Sequence, residues 1–285
     1  MKTMHARAQL FSAIEGGSPF WAREIVENGV NYVLERALRG GYDEIKHEKV
    51  ITRLRNSDPQ SILAVIDKSL GSFLTPEDAQ WPQPLNDLLA PPIALIVHGN
   101  NSVLQIPSLA IVGTRNPTSY GVRIAEEFAA GFVDREWAII SGGAYGIDAA
   151  AHRGALMAEG ITIAVLACGL DINYPAGHQR LFAEIAVHGA LITEVMPGTS
   201  AIPARFLTRN RLIAALSKST LVVEAAFRSG SLRTARDAAE LLRPVMAIPG
   251  PINSPTSEGC HRLIGERAAE IVTSVADAFE FVSFR

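Results

Sequence analysis

Two hydrophobic rhythms divide the chain. Up to about residue 75, apolar positions recur at helical spacing: Ala8, Leu10, Phe11 and Ile14, then Ile25, Val26, Val30, Val33, Leu34 and Leu38. Gly16-Gly17 and Gly40-Gly41 interrupt them, and Ser18-Pro19 reads as an N-cap followed by proline at the first helical position. The pattern predicts a small helical domain over 1–75. Residues 76–106 read as a connector, with Pro76, Pro82, Pro84, Pro91 and Pro92 and one short strand, Ile93–Val97.

From residue 107 the rhythm changes. Continuous apolar runs that read as buried strands occupy Leu109–Val112, Trp137–Ile140, Ile161–Leu166, Leu191–Val195, Leu221–Val223 and Val245–Ile248. Helical segments fall between them, near 122–132, 146–159, 178–188, 209–217 and 231–242. Strands alternating with helices predict an α/β fold: right-handed βαβ units in a doubly wound, mostly parallel, Rossmann-like sheet over 107–285. The core pattern there is complete, so residues from about 105 onward are expected to fold and bind without the first 75.

Composition narrows the class. Of 285 residues, 48% are hydrophobic and 19% charged, which excludes global disorder. No apolar run is long enough for a membrane span, and the start Met1–Arg7 lacks the apolar core of a signal peptide. Two cysteines, Cys168 and Cys260, make neither a disulfide framework nor a four-ligand zinc site. A reducing cytoplasm is the expected compartment. The net charge of −3 argues against a generally basic nucleic-acid binder, but it hides an asymmetry. Residues 107–285 carry 16 basic and 17 acidic side chains, and all the basic ones except Lys218 are arginine. Seven of them (Arg205, Arg209, Arg211, Lys218, Arg228, Arg233 and Arg236) fall between 205 and 236, against Glu224 alone. Guanidinium groups suit bidentate phosphate contacts; a solvated helix face would give the same count.

In a doubly wound sheet, ligands bind beyond the carboxyl ends of the strands. Three predicted strand ends are rich in glycine and small polar residues. They are Gly113-Thr114-Arg115, which leads through Tyr120 into a helix; Ser141-Gly142-Gly143; and Ser229-Gly230-Ser231 with Thr234. Glycine permits close backbone approach, and free N–H groups at helix starts attract anions, though each loop alone fits a mere tight turn. Between the last two lies Phe206-Leu207-Thr208-Arg209-Asn210-Arg211, an aromatic among arginines at a helix start. It fits base stacking with phosphate contacts, or a core plug with salt-bridged arginines.

Other chemistries find no support in the motifs. The phosphate-loop pattern G-x-x-x-x-G-K-[ST] is missing, and the second strand ends in Ser141-Gly142-Gly143 where a dinucleotide site wants an acid. No His/Cys/Asp/Glu cluster has metal-ligand spacing, Ser141 lacks a G-x-S-x-G frame, and His152 and Cys168 read as packed residues. Neither catalysis nor a cofactor nor a metal is expected.

The ordered motifs resemble the DNA-processing protein A family, also called Smf. They are Thr75-Pro76-Glu77-Asp78 with Trp81-Pro82 and Leu85; Val112–Arg115 with Tyr120-Gly121; and Ser141–Asp148 with Ala151-His152. There follow Cys168–Asp171 with Tyr174-Pro175; Phe206 with Arg209-Asn210-Arg211; Glu224-Ala225 with Ser229–Leu232 and Thr234-Ala235; Pro249-Gly250; and Gly259–Ile264. The resemblance implies a cytoplasmic, non-catalytic protein of natural transformation. It would bind single-stranded DNA, help load the recombinase RecA on it, and dimerise through the Rossmann-like domain. It places the DNA-contacting arginine of the first loop on Arg115, and the phenylalanine and arginines of the F-P-x-R-N-R motif on Phe206, Arg209 and Arg211. Thr114 stands for the usual serine, Leu207 for proline, and His178 for a frequent asparagine. Many relatives carry a winged-helix tail, and functions that need it are not expected of this sequence. The N-terminal helices resemble a sterile-alpha-motif-like domain. Two other readings remain: a phosphoribohydrolase of the lysine-decarboxylase-like type, whose glutamate signature has no match at Ser229–Thr234, and a bare nucleotide sensor.

Overall fold

The computed structural model describes residues 3–283. Five helices come first: α1 (Thr3–Ala13), α2 (Pro19–Asn28), α3 (Val30–Leu38), α4 (Glu44–Arg55) and α5 (Pro59–Lys68). The strands β1 (Ser72–Leu74) and β2 (Leu95–Gly99) follow. Next come β3 (Ser108–Val112), α6 (Ser119–Val133), β4 (Ala138–Ser141), α7 (Ile147–Met157), β5 (Thr162–Leu166), α8 (Gln179–His188) and β6 (Ala190–Thr193). The chain closes with α9 (Pro203–Leu216), β7 (Ser219–Val222), α10 (Ser231–Glu240), β8 (Val245–Ala247), α11 (Glu258–Gly265), β9 (Glu270–Ile271) and α12 (Val275–Ser283).

One sheet of nine strands runs in the order β1-β2-β6-β5-β4-β3-β7-β8-β9. From β6 to β9 every pairing is parallel. The connector is built into this sheet: β2 pairs antiparallel with β6, and β1 antiparallel with β2. The doubly wound, mostly parallel Rossmann-like sheet expected from the alternating pattern is therefore present, extended at one edge by an antiparallel pair.

Helices cover both faces, and the apolar runs explain why. On β3, Leu109 and Ile111 meet Phe128 and Phe132 of α6 and Ile147 of α7, while Ala110 and Val112 meet Ile213 of α9, Leu232 of α10 and Leu263 of α11. Side chains alternate across a strand, so a strand buried on both sides is mostly apolar, with polar positions confined to small Ser and Thr such as Ser108. The N-terminal helices have their own core around Leu10, Trp21, Val33, Leu34 and Leu54. A second cluster joins Phe11, Ile62 and Ile66 to Ile96 of β2. Arg7 fixes this seam with Nε on Glu77 at 2.6 Å and Nη1 on the Ile93 carbonyl at 2.8 Å.

His152 on α7 is a packed core residue, as expected. Its Nδ1 lies 2.7 Å from Thr162 Oγ1, which itself donates to the Ile139 carbonyl at 2.9 Å. The threonine proton is thus spent, so Nδ1 carries the imidazole proton and Nε2 is a buried acceptor without a partner. Burial, helped by the nearby His178 and Arg209, holds its pKa down to about 3. The unfolded chain therefore takes up a proton near pH 6.5 that the folded chain refuses until about pH 3, and stability is lost as pH falls through that window. His152→Gln, which keeps the donor towards Thr162, is expected to flatten this dependence. Between pH 6.5 and 4.5 the wild type should lose about 1 kcal/mol per pH unit more than the variant, read from urea midpoints.

Candidate functional site

The strand order reverses its winding beside β3: β4, β5 and β6 extend one way, β7 and β8 the other. The loops leaving β3 and β7 part there and leave a cleft, as the topology of such sheets requires. The cleft holds about 380 Å³. One wall is Gly113, Thr114 and Arg115; the other is Ala226, Arg228, Ser229, Gly230, Ser231 and Thr234; α9 closes it with Phe206, Leu207, Arg209 and Asn210. Asn210 ties α9 to the second wall, its Nδ2 donating to the Gly230 carbonyl at 3.2 Å.

Phe206 is half-buried, so the core-plug and stacking readings each describe part of it. The Arg115 guanidinium lies over its ring at 4.9 Å, Arg209 stands at 5.9 Å, and the exposed Tyr174 ring is tilted against it at 5.5 Å. Among the described residues, neither Arg115 nor Arg228 pairs with a carboxylate. Three arginines thus line the cleft against one acid, Asp148. Asp148 is buried and takes the Ala144 N–H at 3.3 Å. Burial raises its pKa, against the pull of Arg209; burial lowers Arg209 to about 10, against the pull of Asp148. Arg209 Nη1 donates to the Val165 carbonyl beneath the cleft.

The structure brings together Gly113, Thr114, Arg115, Phe206, Arg209, Asn210, Ser229, Gly230, Ser231 and Thr234. The other residues singled out from sequence lie elsewhere. Arg211 turns to the opposite side of α9, where its Nη2 donates to Glu194 at 2.7 and 2.5 Å. Tyr120 spends its hydroxyl on the Pro249 carbonyl at 3.1 Å. Ser141 is fully buried and donates to the Ile111 carbonyl at 2.6 Å. Gly142 and Gly143 are packed beneath: a Cβ on Gly142 would collide with the Arg209 guanidinium, and one on Gly143 would meet the Phe182 ring at 2.7 Å. Ser141–Gly143 therefore support the cleft from beneath, while Ala144 just beyond them reaches its lining and gives its amide to Asp148. Sequence reasoning passed over Asp148, Tyr174, Ala226 and Arg228 as site residues. Arg228 had a visible signal in the basic run; Asp148 and Tyr174 stood inside quoted motifs without a role.

Glu224 sets the position of the first wall. Its buried carboxylate takes the Thr118 N–H at 2.9 Å, the Thr118 hydroxyl at 2.7 Å and the Thr256 hydroxyl at 3.2 Å, and its carbonyl takes the Thr114 N–H at 2.6 Å. Thr118 in turn caps α6, accepting from Gly121 N at 3.2 Å. Behind the same loop, Ile147 N donates to the Thr114 carbonyl at 3.1 Å.

Comparison with known proteins fixes the family. The sequence model of the DNA recombination-mediator protein A family matches residues 72–283. The chain belongs to that family. It is 46% identical over 228 residues to a putative DNA processing protein DprA of Mycobacterium tuberculosis, covering 74% of this chain and 58% of that protein. To the DNA processing protein DprA of Streptococcus pneumoniae it is 41% identical over 207 residues, 72% of this chain and 73% of that one. The chain thus spans little more than half the length of the mycobacterial relative. The crystal structure of the pneumococcal protein superposes with a TM-score of 0.85 at 31% identity over 98% of both chains. The Helicobacter pylori DNA processing protein A, solved to describe its single-stranded DNA binding mode, gives 0.67 at 31% identity over 76% of this chain and 96% of that one. The motif resemblance and the Rossmann-like fold of the recombination-mediator family both hold for this chain.

Gly146 tests how the family's first wall is held. It has φ +85°, and a Cβ there would collide with the Thr114 carbonyl and meet Arg115 Cα at 2.8 Å. These are backbone atoms and cannot rotate away. Gly146→Ala is expected to cost about 2 kcal/mol or more, from positive-φ strain and overpacking together. Gly198→Ala, at φ +77° with open space around it, should cost only the conformational part. Urea unfolding of the two variants separates the contributions.

Proposed function

We propose that this chain is a single-stranded DNA-binding recombination mediator that loads RecA on DNA during natural transformation, working as a cytoplasmic homodimer without catalysis of its own. One observation carries the reading: the cleft at the sheet's reversal point sets a half-buried aromatic ring among three arginines, against a single acid, Asp148, that is itself buried. Phosphates are met by Arg115, Arg228 and the glycine-rich backbone of 229–231; Phe206, with Tyr174 beside it, offers a π-face to an unstacked base. Duplex bases have no free face to stack. Asp148, the one carboxylate lining the cleft, is buried and takes the Ala144 amide, which supports a binding role over the phosphoribohydrolase alternative. Among the described residues no helix is long and apolar enough to cross a membrane, and no cluster of three or more His, Cys, Asp or Glu is placed to hold a metal.

The deciding measurement is a titration of oligo-dT and of a hairpin duplex at several salt concentrations. The protein should prefer oligo-dT, and equal affinity for both would overturn the reading. Arg115→Ala should bind more weakly, with a slope of log K against log salt reduced by roughly 0.7 for each phosphate no longer neutralised. Phe206→Ala should keep the slope and lose about 1–3 kcal/mol of binding. Melting curves of both variants check that folding is intact.

Gly230 gives an independent readout. Its φ is −62°, and a Cβ there meets nothing within 4 Å, so Gly230→Ala should leave the melting temperature unchanged. Because it stands on the cleft wall, the added methyl should still weaken oligo-dT binding where DNA backbone approaches closely. Unchanged affinity would remove this loop from the interface.

A further inference from the structure

We propose that Phe227 is a second base-stacking platform, placed outside the cleft mouth so that it takes a base beyond the one stacked on Phe206. The inference rests on the single-stranded DNA reading above and extends it to a residue that motif reasoning did not single out. After β7 the chain stays buried through Ala225 and then surfaces at Ala226–Arg228. Ala226 and Arg228 line the cleft, and Phe227 between them does not. Its side chain is 50% exposed on the rim. What singles this ring out is its place between two cleft-lining residues, in a cleft that holds three arginines.

Two features make this ring a built platform. The Arg262 guanidinium lies over it at 4.7 Å, the same ring-and-arginine arrangement as Arg115 on Phe206 at 4.9 Å. Arg262 is itself held by Glu266, to which its Nε donates at 2.5 Å, so the planar cation is fixed above the ring. The backbone beneath is pinned from three directions: Ala225 N donates to the Thr256 carbonyl at 2.7 Å, Gly259 N to the Ala225 carbonyl at 2.8 Å, and Ser229 N to the Ala226 carbonyl at 2.9 Å. A ring fixed by such a loop loses little freedom when a base stacks on it. Arginine and aromatic planes both stack on nucleobases, and sequence-independent binders track the strand with successive such surfaces. Arg228, next in sequence and exposed on the cleft wall, is placed to meet the intervening phosphate.

The test uses the full chain and a ladder of oligo-dT lengths, with Phe227 changed to Ala, Leu and Tyr. The platform predicts that Phe227→Ala and Phe227→Leu bind long oligonucleotides roughly 5- to 100-fold more weakly, the stacking energy of one base converted to affinity. The shortest oligonucleotide that the wild type binds should be held as before, and Phe227→Tyr should retain wild-type affinity at every length. The salt slope should not move, because no charge is removed. A packing role predicts instead that Leu restores binding and that melting temperature follows affinity; either result overturns the proposal. So does an equal loss at all lengths, which would place Phe227 in the first subsite. A wild type that fails to bind oligo-dT removes the underlying reading as well. A wild type that binds, with a Phe227→Leu variant that binds equally well, removes only this inference.

Discussion

The cleft exists because a buried carboxylate is satisfied. Glu224 stands at the end of β7, out of water, and an unpaired charge there would be costly. It is met instead by the Thr118 amide, two threonine hydroxyls and the start of α6. The helix dipole adds to this, since a negative charge is favoured at a helix N-terminus. The partners come from two other loops, the one after β3 and the one before α11, while Glu224 itself stands in the loop after β7. One side chain therefore sets the distance between the two cleft walls. Even Gly121 serves it, because a Cβ there would collide with the Glu224 carboxylate. Without this brace the loop carrying Arg115 would be anchored by backbone bonds alone.

Helix α9 is shared between two environments. Phe206, Arg209 and Asn210 face the cleft, while Arg205 reaches Glu15 of the N-terminal helices at 2.9 Å and Arg211 is held by the buried Glu194. The N-terminal helices lean on the back of the helix whose front forms the cleft floor. Gly16 is part of that seam: a Cβ there would run into the Glu194 carboxylate. The two regions read as separate from sequence are mechanically joined through this helix.

Much of the fold was legible, and the exceptions have physical causes. The six parallel strands from β3 to β8 appeared as apolar runs because burial on both faces leaves little room for polar residues. Strand β1 has three residues and β9 two, too few to show any period. Helix α9 starts earlier than the pattern indicated: its first turns carry Arg205, Thr208, Arg209 and Asn210, which are polar yet contact protein. At the site, the meeting of the first and third glycine-rich loops followed from strand order. The fate of the arginines did not. Arg209 and Arg211 are two residues apart, hence about 200° apart around a helix, and sequence proximity hid their separation. Partners distant in the chain, the Val165 carbonyl for Arg209 and the Glu194 carboxylate for Arg211, decided how each cation is placed.

The Phe206 ring is never bare: without DNA a planar cation already rests on it. On the proposed single-stranded DNA reading, stacking a base there is an exchange, in which the ring trades Arg115 for a nucleobase and the guanidinium is freed for a phosphate. The two interactions would then not be independent contributions, and their energies would not add. The same contact covers part of the aromatic face when no base is present. The cleft carries its own placeholder ligand, at some cost in the affinity such a reading requires.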